Sequence, residues 1–147
     1  MKTITHTNPN GKTVQVSVGK NVTIGENVTI GKFVTIGRGS TIGEDLNIGQ
    51  GSNIGKHAII GDGSTIGENV TIGENVTIGK FVTIGRGSTI GEDLNIGQGS
   101  NIGKHAIIGD GSTIGENVTI CEHVTTGEHV TIGKDSYIGL YSYIGPE

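Results

Sequence analysis

Ile24-Gly25-Glu26-Asn27-Val28-Thr29 is followed directly by Ile30-Gly31-Lys32-Phe33-Val34-Thr35, and this six-residue phrase decides the fold. Further copies begin at Ile36, Ile42 and Ile48, and the register is intact at Ile132, Ile138 and Ile144. A period of six is too long for a strand pair and fits no helical stripe, so each phrase must form one side of a coil. Within it, Val-Thr-Ile alternates with period two, as a short strand does. Val28 and Ile30 therefore point inward and Thr29 outward. Gly31-Lys32-Phe33 makes the corner, where the glycine is expected to supply backbone angles that a Cβ forbids. The last corner residue is mostly Asn, Gly, Asp or His, as at Asn27, Gly39, Asp45, Gly51, His57 and Gly63. Those types tolerate positive φ.

This pattern resembles the hexapeptide-repeat, left-handed parallel β-helix superfamily, best known for acyltransferases, and hexapeptide β-helices have a recognised repeat signature. The resemblance runs from about Val18 to Ile144. It implies that three hexads close one triangular coil, that residues eighteen apart stack, and that the coil is left-handed. The expected fold is all-β: a solenoid of about seven coils, roughly 34 Å long at the usual strand spacing. Ile24, Ile42, Ile60, Ile78 and Ile96 should form one core column, stabilised by neighbour stacking.

The 147 residues suit one domain. All of the 28 glycines but Gly11 sit at fixed corner positions without a collagen period, which argues for order. A net charge of −4 with no basic stripe gives no reason to expect a nucleic-acid partner. Cys121 is the only cysteine, so an intrachain disulfide is excluded. No apolar run marks a signal peptide or membrane span, and a cytoplasmic protein is expected.

Residues 21–72 are identical to 69–120, an offset of eight hexads. So long an exact copy means recent duplication or deliberate construction, and construction is the favoured reading. Eight hexads is not a multiple of three, so each copied side chain moves to another face while the core register is kept. Ile59 and its copy Ile107 should both point outward, on different faces. At the start, residues 1–17 read as a β-hairpin cap turning at Asn8-Pro9-Asn10-Gly11, covering an otherwise bare strand edge. The β-helix would occupy 18–147. Its last coil carries Tyr137, Leu140, Tyr141 and Tyr143.

The resemblance implies a His general base in a cleft between trimer subunits, with acyl-CoA as donor. The candidates are His57, His105, His123 and His129, all at the last corner position, where His is also simply a tolerated residue. The strict hexad spacing leaves no room for the extruded loop common in the family's enzymes. A zinc carbonic anhydrase class within the resemblance uses three His across a subunit boundary. His105 and His123, eighteen apart, should stack but remain one ligand short. His105 and His123 are thus weak catalytic and metal candidates, and no cofactor is expected. One outward rank, Thr23, Thr41, Ile59, Thr77, Asn95, Thr113 and Thr131, resembles the Thr arrays of ice-binding β-helices, but those place two Thr ranks per face, whereas here there is one, interrupted by Asn and Ile. Cys121 replaces a corner glycine and Thr126 a core isoleucine, and the Thr126 hydroxyl needs a partner, expected from the backbone of its own corner. The reading reached is a structural solenoid without catalytic activity; the alternative is a trimeric hexapeptide acyltransferase or its remnant. Self-association is expected, as a trimer by resemblance or end to end through Tyr137, Leu140, Tyr141 and Tyr143.

Overall fold

The computed structural model describes residues 1–146. Two long strands, β1 (Lys2–Thr7) and β2 (Thr13–Val18), pair antiparallel as a hairpin. Two-residue strands then recur every six residues, from β3 (Thr23–Ile24), β4 (Thr29–Ile30) and β5 (Thr35–Ile36) to β23 (Tyr143–Ile144). Every third strand pairs in parallel, so three flat sheets enclose the core. Sheet A begins β1-β2-β5 and has nine strands; sheets B and C begin at β3 and β4 and have seven each. The result is a parallel β-solenoid of about seven coils. The pairing Ile24↔Ile42↔Ile60↔Ile78↔Ile96 places the expected isoleucines in one column. The outward rank Thr23, Thr41, Ile59, Thr77, Asn95, Thr113 and Thr131 lies on sheet B. Ile59 lies on sheet B and Ile107 on sheet A, both exposed.

Packing inside the prism follows the hexad. Each Ile column runs beside a column of buried, mostly smaller residues two positions earlier, such as Val28, Ala58 or Ser52. A buried serine would cost free energy if left unpaired. Ser52 Oγ instead donates to Gly67 O at 2.8 Å and accepts from Val70 N–H at 3.2 Å, so it stitches adjacent coils. Among the described residues no buried side-chain nitrogen or oxygen lacks a partner.

The corners correct one expectation. Positive φ belongs to the last corner residue, including Asn27 (55°), Asp45 (53°) and His57 (55°), and also the aromatics Phe33 (61°), Phe81 (57°) and Tyr141 (56°). The first corner glycine of the hexad, Gly31 for example, is not in that region. It is glycine because the next coil lies directly against it: a Cβ on Gly31 would meet Gln50 N at 2.5 Å. Close approach, rather than backbone freedom, fixes these glycines. Cys121 occupies one such position, and the coil beyond it sits further off. Cys121 N–H reaches Ile138 O at 3.0 Å, and Tyr141 N–H reaches Glu122 O at 3.4 Å, whereas Gly103 and Lys104 one coil earlier make the same bonds at 2.7 and 3.0 Å.

The hairpin closes the start of the solenoid more completely than a strand pair alone. β1 extends sheet A beyond β2. At the turn, Asn8 lies over the exposed edge of sheet C and imitates a peptide group. Its Oδ1 accepts from Ile30 N–H at 2.8 Å and its Nδ2 donates to Ile30 O at 3.0 Å. His6 Nε2 meets Val28 O at 2.8 Å on the same edge. Without these groups, β4 would offer a bare template for pairing.

Candidate functional site: the histidine edge

Three edges run along the prism, each formed by corner residues stacked one coil apart. The edge between sheets C and A carries His105 and His123. Their rings stack with centroids 5.1 Å apart and planes 14° apart. Tyr141 continues the stack over His123 at 5.1 Å and 5°. The cause is the shared corner conformation, φ 56°, 59° and 56°, which tilts each ring over the coil before it. Beneath four of the corner rings lies a glycine. His57 covers Gly39, Phe81 covers Gly63, His105 covers Gly87 and His129 covers Gly111. His123 has His105 beneath it instead, so ring meets ring. Sequence reading pairs the two histidines but misses Tyr141. The signal was present, since Tyr141 is again eighteen residues on.

Stacked imidazoles turn their faces, not their nitrogens, towards each other, so the two rings do not converge on a common ion. Among the described residues no group of three or more His, Cys, Asp and Glu side chains could hold a metal. Within one chain, two stacked imidazoles are one donor short of a three-histidine zinc site. His57 and His129 lie on the edge between sheets A and B, away from this stack. His6 is engaged in the hairpin.

Beside the stack, a groove of about 530 Å³ opens on sheet C. Its walls include Thr83, Asn101, Lys104, Cys121 and Leu140. Lys104 Nζ lies 3.5 Å from Glu122 Oε1. Cys121 Sγ–H donates to Tyr137 Oη at 3.0 Å. The cysteine is thus engaged with tyrosine, not with a histidine that could serve as its base. The Thr126 hydroxyl, 2% exposed, accepts from Gly109 N–H at 3.1 Å. Its partner comes from the preceding coil, not from its own corner as expected, because the ladder brings Gly109 N–H across it.

The model for the GMPPB C-terminal domain matches residues 48–144. The chain belongs to that family. A second model, the bacterial transferase hexapeptide (six repeats), matches residues 15–49, so this is a member of the hexapeptide-repeat β-helix superfamily. Left-handedness comes with that membership. The chain has no match among curated protein sequences. Among solved structures it is similar to the UDP-N-acetylglucosamine acyltransferase of Francisella novicida, at 19% identity and a TM-score of 0.52, over 86% of this chain and 62% of that one. It is also similar to LpxA of Acinetobacter baumannii, at 20% identity and a TM-score of 0.56, over 91% and 65%. At these identities the likeness concerns the fold. The chain spans less than two thirds of the length of both relatives.

Proposed function

We propose that this hexapeptide solenoid is a structural rod without acyl-transfer activity, built by duplicating a 48-residue unit as a spacer. The observation that carries this reading is the uninterrupted spacing from β3 to β23. A strand begins every six residues, so no corner extrudes a loop to wall a substrate pocket. The groove on sheet C has only strands and corners for walls. The copied histidines His57 and His105 lie on different edges, which is hard to reconcile with selection for one site. We place the protein in the cytoplasm, where a free thiol such as Cys121 persists; among the described residues no helix is long and apolar enough to cross a membrane.

The competing reading, an acyltransferase working on an acyl-CoA, is favoured by the superfamily alone. An acyl-CoA hydrolysis and transfer screen against amino sugars and amino acids separates the two. No turnover is expected. Turnover abolished by His105→Ala or His123→Ala would overturn the structural reading.

Self-association is proposed to join the last coils of two copies. Tyr137, Leu140, Tyr141 and Tyr143 are exposed there. The opposite end is closed on sheets A and C by β1, His6 and Asn8. Leu140→Lys with Tyr141→Lys should lower the sedimenting mass; an unchanged mass distribution would refute this contact.

A further inference from the structure

The edge between sheets A and B has an order of charge that neither other edge shares. Its outermost column begins Lys20, Arg38, Lys56 and ends Glu92, Asp110, Glu128, with Glu74 at the midpoint. Corner hydrogen bonds of 2.8–3.0 Å fix the stacking, because Gly39 N–H reaches Lys20 O, His57 N–H reaches Arg38 O, and so on to His129 N–H and Asp110 O. One half of the edge is therefore basic and the other acidic. The equivalent columns on the other edges intersperse the signs, as in Glu44, Asp62, Lys80 and Gln98.

Among the described residues only the junction of this edge is neutralised within the chain, where Lys56 Nζ meets Glu74 Oε1 at 2.7 Å. Among the described residues, Lys20, Arg38, Glu92, Asp110 and Glu128 enter no ion pair. All five are exposed. Such an edge is complementary to itself under one operation, a two-fold axis perpendicular to the rod at Glu74. Lys56 and Glu92 lie one coil either side of that axis, Arg38 and Asp110 two, Lys20 and Glu128 three. A second copy laid antiparallel sets each basic residue opposite an acidic one, and at the axis Glu74 meets its own copy, each held by its own Lys56. A parallel copy sets like against like. An isologous pair of this kind is closed, so it gives a dimer and not a filament.

We infer that this edge is a self-recognition surface, on which two copies pair side by side and antiparallel about Glu74. The partner is a second copy because a polyanion would meet only three cations before reaching four carboxylates. Exposed ion pairs are weak singly and are screened by salt, so the dimer is salt-sensitive.

Sedimentation equilibrium tests this on the Leu140→Lys/Tyr141→Lys chain, which removes the proposed end contact. A dimer is expected at about 20 mM NaCl and a monomer at about 0.5 M, where the screening length falls to a few ångströms. Lys20→Glu/Arg38→Glu/Lys56→Glu should be monomeric at low salt, as should Glu92→Lys/Asp110→Lys/Glu128→Lys. An equimolar mixture of the two should recover the dimer. Orientation is read by disulfide capture in a Cys121→Ser background. Glu74→Cys should cross-link to itself, whereas Lys20→Cys should not, since its partner copy lies six coils away. A monomer at low salt, a dimer indifferent to salt, or cross-linking through Lys20→Cys instead of Glu74→Cys would each overturn the inference.

Discussion

Gly61→Ala and Gly133→Ala replace the same residue at the same hexad position, yet their effects should have opposite sign. Neither glycine has a positive φ, so alanine fits the backbone at both. At Gly61 the new Cβ would lie 2.6 Å from Gly79 C and 2.7 Å from Lys80 N, both backbone atoms of the next coil. Restoring ordinary contact at 3.4 Å asks that coil to retreat by about 0.8 Å. Three ladder bonds cross there: Ile59 N–H to Val76 O and Gly61 N–H to Ile78 O, both 2.8 Å, and Phe81 N–H to Asp62 O at 2.9 Å. The retreat lengthens each to about 3.6–3.7 Å, beyond a useful N–H···O bond. At about 1 kcal/mol net per bond the loss is about 2–3 kcal/mol. Reduced freedom of the unfolded chain returns about 0.5 kcal/mol, leaving a net destabilisation near 2 kcal/mol. At Gly133 the nearest atom to a Cβ is Ser136 Oγ at 4.0 Å, so only the favourable part remains. With a urea slope of about 2 kcal/mol/M, Gly61→Ala should lower the midpoint by about 1 M, and Gly133→Ala should leave it level or slightly higher. Cys121 is the natural counterpart, and the longer bonds over it show a coil already pushed outward. Equal destabilisation by the two alanines would refute close approach as the reason for these glycines.

Asn8→Ala should cost about 2 kcal/mol, because the fully buried Ile30 keeps its peptide group without the mimic; a urea midpoint equal to the parent's would contradict the capping role. Thr126→Ile should stabilise by about 1 kcal/mol through added apolar burial, with Gly109 N–H turning to the residue 126 carbonyl, and calorimetry would expose the opposite sign. The hydrogen bond from Lys80, then that from Glu44 N–H, holds Asp62 below its ordinary pKa. A depressed folded-state pKa contributes stability that is present above the unfolded value of 3.8 and disappears as pH falls through the lower folded one. Asp62→Asn should therefore flatten the stability profile in that acidic window and nowhere above it, as acid titration of the urea midpoint would reveal.

The strands were legible because the hexad encodes them three times over: alternation, corner chemistry and the small inward residue. Columns eighteen apart also followed, once three hexads were taken to close a coil. What escaped sequence reading depends on contacts between coils. Gly31 reads as a conformational residue because a sequence does not display the backbone of Gln50 against it. Asn8 reads as a turn former, since its pairing with Ile30 joins residues 22 apart across the rod's end. Phe33 and Phe81 were not expected at positive φ; for Phe81 the vacant space over Gly63 receives the ring. The histidine stack was legible in part. His105 and His123 share a column once three hexads close a coil, as the family resemblance implies, but the face-to-face rings, which disfavour a shared ion, follow from the corner φ.

The central claim is that hexad register alone builds the rod, with the duplicated segment as a spacer. Excising residues 73–120 joins Ile72 to Cys121 and keeps every hexad in phase. Glu122 then inherits the place of Glu74 beside Lys56, and the Ile columns are rebuilt from the same residue type. Small-angle scattering of this chain at high salt measures the consequence directly. The rod should remain folded and shorten by eight hexads, about 13 Å at the usual strand spacing. Excising residues 76–120 instead shifts the phase by three and exchanges core for corner, so that chain should lose its rod-like profile. Rods of equal length and stability from both excisions would contradict the account.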